Sequence, residues 1–179
     1  DGVVSDAAAG GDYIKLSSHA RFSELDLQVL EVHEGWVHVG TTLNGRQQSY
    51  ATWLGAGSPR ITACQAGLAV LIETLPFSSF PDRAKRISDR VTAIDMAERG
   101  ADFIEVFRGF LDAGQTEVES YRSAARVFRG GDVRGGVCFT KDGAYLEGVM
   151  LVHAFVRKVL QEGRGDLLGM LFVGRVTTA

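Results

Sequence analysis

Apolar residues recur along most of this chain at the three- and four-residue intervals of helices that bury one face. Phe22-Ser23-Glu24-Leu25-Asp26-Leu27 opens the first of them. Ser23 suits an N-cap with Asp26 as a short-armed capping box, and Phe22 and Leu27 take the two positions of a hydrophobic staple. Leu27, Leu30, Val37 and Leu43 extend an apolar stripe, and Asn44-Gly45 supplies a stop. After the break at Ser58-Pro59 a second helix is expected from about Ile61 to Leu75, with Pro76 and Pro81 bracketing a turn before a third over Asp82–Arg99. Phe103, Ile104, Phe107, Phe110 and Leu111 mark a fourth, ended near Gly114. Thr116 caps a fifth through Val118, Tyr121, Ala125 and Phe128, and Thr140 caps a long sixth through Leu146, Val149, Phe155 and Val159. Only Tyr13-Ile14-Lys15-Leu16-Ser17 alternates like a strand. The expected fold is mainly α, with α+β character limited to a small edge strand or sheet.

Composition narrows the field. With 179 residues and 45% hydrophobic content the chain can bury one full core, so residues 1–179 read as a single domain. A net charge of −3 without a basic stripe implies no nucleic-acid partner. The densest apolar run, Leu68–Leu75, is already broken by Glu73, so no membrane span is expected. Cys64 and Cys138 are too few for a disulfide framework and no secretory signal is visible, which points to the reducing cytoplasm. The first residue is Asp1 rather than Met, so the chain reads as a piece of a longer protein.

The chemistry concentrates in His33-Glu34-Gly35-Trp36-Val37-His38. Two imidazoles to hold a metal and a carboxylate to take the proton of its bound water are what a zinc hydrolase needs. The familiar spacing places two histidines four apart, about 40° apart around a helix. A spacing of five splays them by about 140° in a regular α-helix, too far to share one ion. The motif therefore requires an extra residue in the helix, an i→i+5 π-bulge or kink, and Gly35 is the residue most tolerant of one.

Several ordered stretches resemble a known family. They are Lys15–Ser23, Glu31-Val32-His33-Glu34 through Leu43-Asn44-Gly45, Gln65-Ala66-Gly67-Leu68-Ala69-Val70, and Arg126–Gly131 through Phe139–Asp142. Together they are similar to the flavohemoglobin-expression-modulating QEGLA-motif proteins, which resemble the microtubule-associated tyrosine carboxypeptidases of animals. Family members are longer, and this chain looks like their C-terminal, catalytic part. The resemblance implies a zincin-like metallopeptidase domain of carboxypeptidase type, acting on the C-terminus of a peptide or protein, with zinc as cofactor. Carried over by position, His33 and His38 match the metal ligands and Glu34 the general base, while the third ligand, a Glu in the family, falls on Ala66. A methyl group cannot coordinate zinc, so impaired activity is expected, with a non-catalytic peptide-binding domain as the alternative. Rescue by neighbours looks poor. Glu73 shares the helix face but lies about 10 Å further along, and Cys64 is about 200° around.

Recognition of a terminal carboxylate calls for a cation, best an arginine fork. Arg126 and Arg129 precede the glycine-rich stretch 130–136 that holds Arg134. They equally suit bracing that loop or pairing with Asp132 or Asp142. Tyr145 is the candidate donor to a developing oxyanion, against a plain core or surface role. His19 suits a helix-start role and His153 a partly buried structural one. The glycine-rich stretch lacks the Gly-Lys-Ser/Thr ending of a phosphate loop, and Cys138 has no base pattern around it.

Overall fold

A computed structural model describes residues 7–75 and 81–178. The expected turn between Pro76 and Pro81 falls largely outside them. Two antiparallel strands, β1 (Ala7–Ala9) and β2 (Ile14–Leu16), pair with Ala8 opposite Lys15. β2 is the strand the alternation predicted; β1 is an unpatterned Ala-Ala-Ala that no periodicity could mark. The helices are α1 (Glu24–Leu30), a π-helical segment (Glu31–Val39), α2 (Gly40–Arg46), α3 (Pro59–Thr74), α4 (Pro81–Glu98), α5 (Phe103–Asp112), α6 (Glu117–Val127) and α7 (Gly143–Gln161), with 3₁₀ turns at Thr52–Gly55, Thr140–Asp142 and Gly165–Phe172. The mainly α expectation holds. No described helix is long and apolar enough to cross a membrane.

The chain divides into two compact units, residues 1–80 with 147–179, and residues 81–146. In the first, α1, the π segment and α2 run on as one helical rod that starts at Ser23. The Ser23 hydroxyl accepts from the Asp26 N–H at 3.1 Å while the Asp26 carboxylate accepts from the Ser23 N–H at 2.9 Å, closing the capping box. The apolar stripe does not stay on one face. Val37 is fully buried, but Leu27 is 51% exposed, because a π segment rotates later residues away from a 3.6-residue register. Nor does Gly45 end the helix: α2 runs on through Arg46 and is capped at Gln47. Gly45 is instead a point of close approach, where any Cβ would collide with the Leu54 carbonyl.

α3 starts at Pro59, whose missing N–H costs nothing in a first turn. Its residues 64–70 are all buried, and Leu68, Ala69 and Cys64 share a core with Val37, Val152 and Leu171. Gly67 and Gly148 touch backbone to backbone where α3 meets α7, so neither position has room for a side chain. The Cys64 thiol is turned to Thr178, donating to its hydroxyl oxygen at 3.6 Å.

The second unit packs α4, α5 and α6 around Ala93, Ile94, Ala97, Val106, Phe110, Ala124, Val127 and Phe128. Asp102 with Glu105 and Thr116 with Glu119 form capping boxes that fix the starts of α5 and α6. Thr140 departs from expectation. It opens a 3₁₀ turn whose N-cap is Phe139, and the long helix begins three residues later at Gly143. His153, expected to be partly buried, is exposed.

Candidate active site

The π segment resolves the spacing of His33 and His38. Its wider turn returns five residues to one side, and the Gly40 N–H reaches the Gly35 carbonyl in the i→i+5 pattern. The two imidazole rings consequently stand edge to face, with centroids 5.0 Å apart and planes at 81°. The distortion spreads over nine residues rather than concentrating at Gly35. A Cβ on Gly35 would meet only Ile14 Cδ1 at 3.8 Å, so space alone does not demand glycine there.

His33 is buried, and its Nδ1 lies 2.9 Å from Oε2 of Glu73, which is fully buried on α3. With Glu73 as the carboxylate, Nδ1 donates, and the neutral ring carries its lone pair on Nε2, the atom a metal would take. A carboxylate behind a histidine is the usual means of orienting a metal-ligating ring. Glu73 thus has a role that its distance along the helix from residue 66 concealed: it holds a candidate ligand in place. Glu34 points its carboxylate at β1, where Oε2 accepts from the Ala9 N–H at 3.0 Å. The general-base candidate is therefore anchored by the strand that the sequence did not announce.

Ala66 lies on the helix that carries Glu73. Its neighbour Gln65 accepts from the Thr41 hydroxyl at 3.0 Å through the amide oxygen, so side-chain hydrogen bonds join α3 to the helical rod at Glu73 with His33 and at Gln65 with Thr41. Seven residues of helix turn about 700°, which places Ala66 within about 20° of the direction of Glu73. Ala66 is itself buried. Zinc in a catalytic site uses three protein ligands and an open position. Among the described residues no three His, Cys, Asp or Glu side chains converge as a metal site. The candidate donors among the described residues are two imidazoles, one short of the three ligands of a catalytic zinc centre.

Arg126, Arg129 and Tyr145 belong to the second unit. Arg126 grips Asp142 with both sides of its fork, Nε donating to Oδ2 and a terminal nitrogen to Oδ1 at 2.9 Å. Hydrogen bonding to Asp142 pushes the Arg126 guanidinium above its ordinary range despite burial. Burial alone would raise the Asp142 carboxyl, but the Arg126 hydrogen bonds and the charges of Arg126, Arg90 and Arg129 hold it below the usual carboxylate value. Arg129 lies over the Phe139 ring at 4.0 Å, a cation–π contact. Tyr145 is half-buried and sits near enough to influence both Arg90 and Arg126 electrostatically. Of the two bracing roles open to Arg126, the structure supplies the pairing with Asp142. Asp132 pairs instead with Arg134, whose hydrogen bonds hold its carboxyl down to about 2. Sequence reasoning missed Arg90, whose terminal nitrogen lies 3.4 Å from Oδ2 of Asp142. Burial pushes the Cys138 thiol up, away from nucleophile behaviour.

A family model described as microtubule-associated tyrosine carboxypeptidase matches residues 1–179. No curated protein and no solved structure matches the chain. With a family match over its whole length and a paired-histidine π-helix at its centre, this chain belongs to the microtubule-associated tyrosine carboxypeptidase family.

Proposed function

We propose that the chain is a zincin-type, zinc-dependent carboxypeptidase domain acting on the C-termini of peptides or proteins, impaired by Ala66 at the third ligand position. The observation that carries this reading is the convergence of the His33 and His38 rings on one side of the π segment, with Glu73 fixed behind His33. Two imidazoles with centroids 5.0 Å apart, the first held by a buried carboxylate and followed in sequence by Glu34, are the parts from which a metal centre is made. The residues present do not complete that centre, so no catalytic step is built through a metal. What the chain's own groups do is hold geometry: Glu73 sets the His33 ring, and the Ala9 N–H sets the Glu34 carboxylate.

Ala66 itself favours a second reading, a peptide-binding domain that has given up catalysis. Mass spectrometry of C-terminal residue release from a panel of short peptides separates the two. Weak release by the chain, raised about tenfold or more by Ala66→Glu and abolished in that background by Glu34→Gln, supports the impaired enzyme. Binding of the same peptides without release by either protein supports the second reading and overturns the first.

A further inference from the structure

In the second unit a single carboxylate is shared by two partly buried arginines. Asp142 is 4% exposed and is the counter-ion of two guanidinium groups, those of Arg126 and Arg90. Arg126 occupies both carboxylate oxygens in the side-on, two-pronged arrangement that suits a planar fork. Arg90 is left with an off-line approach to Oδ2 at 3.4 Å, longer than a charge-assisted hydrogen bond of about 2.7–2.9 Å. Its side chain makes that one ion pair and no hydrogen bond among the described residues, although a guanidinium carries five N–H donors. Arg83 and Arg126 add like charge to its surroundings, and Arg129 adds another cation near Asp142. A half-buried guanidinium in this setting is costly unless an anion reaches it. The side chain keeps 25% of its surface open, enough for a small oxyanion to approach.

We infer that Arg90, flanked by Arg126, forms a binding site for an oxyanion, a carboxylate or a phosphate, which completes the charge balance around Asp142. Burial agrees with this reading by holding Arg90 below the ordinary arginine range despite the attraction of Asp142. The bound anion accepts from the Arg90 fork, and Arg126 supplies long-range attraction while remaining tied to Asp142. The site rests on the second unit alone. It stands or falls independently of the peptidase reading, which concerns His33, Glu34 and His38.

The test titrates the whole chain, at constant ionic strength set with chloride, with inorganic phosphate, N-acetylalanine and N-acetylalanine amide, reading arginine side-chain N–H signals by NMR. The expected result is a saturable shift of the Arg90 signals with phosphate, N-acetylalanine or both, and none with the uncharged amide. Arg90→Gln weakens the saturation about tenfold or more, while Arg99→Gln, on an exposed side chain just past the end of α4, leaves it unchanged. Phosphate alone assigns a phosphorylated ligand and N-acetylalanine alone a chain terminus. If Arg90→Gln does not fold, Arg90→Lys decides, since it keeps the charge and loses the fork. Linear, unsaturable shifts with both anions, or saturation equal to the parent in whichever of these two variants folds, overturn the site.

Discussion

The two units bury charged groups in opposite ways. In the first, His33 on the π segment meets Glu73 on α3 at 2.9 Å, with both side chains buried. In the second, one carboxylate, Asp142, answers two guanidinium groups, and only Arg126 has good geometry. A closed pair of this kind orients a ring; an overloaded one leaves a donor directed at something else. The difference separates a group that positions from a group that is ready to bind.

Removing the partner from the closed pair gives the largest effect. Glu73→Leu leaves the His33 Nδ1 buried without its acceptor and should lower unfolding stability by about 3 kcal/mol. Glu73→Gln, which keeps an acceptor, should cost roughly 1 kcal/mol. Chemical denaturation measures both, and equal losses for Leu and Gln would show that volume rather than the hydrogen bond matters.

Opening the overloaded cluster should cost less, because its arginines keep access to water. Asp142→Asn is expected to destabilise by about 2 kcal/mol at neutral pH. The sign of its pH dependence follows from the depressed carboxyl. Asp142 contributes stability above the unfolded carboxyl's value of 3.8 and loses it as pH falls through its lower folded value. The gap in unfolding free energy between the parent and Asp142→Asn should therefore narrow below pH 3.8. A gap that widens on acidification would contradict the assignment of Asp142 as the ionised partner.

Much of this was legible in the chain because local rules decide it. Ser23 and Thr116 announce helix starts through capping chemistry. The π segment was legible for a different reason: two histidines five apart with a glutamate between them make chemical sense only if the helix is underwound, with an extra residue in the turn. What stayed hidden was non-local. Glu73 lies 40 residues from His33 and meets it only once α3 packs on the π segment. Arg90 is one of several arginines on α4, and its distinction arises from Asp142, which reaches it through the fold. β1 is three alanines, a pattern without alternation, yet it supplies the N–H that anchors Glu34. Gly45 read as a helix stop, but contact with Leu54 rather than backbone freedom explains it.

The central claim is that residue 66 is where a carboxylate is missing from an otherwise oriented pair of histidines. Zinc content per chain, after purification without chelator, tests it for the parent and for Ala66→Glu. The account predicts at least about tenfold more retained zinc in the variant, lost again when His38→Ala is added. Equal zinc in parent and variant, with both folded, would contradict it.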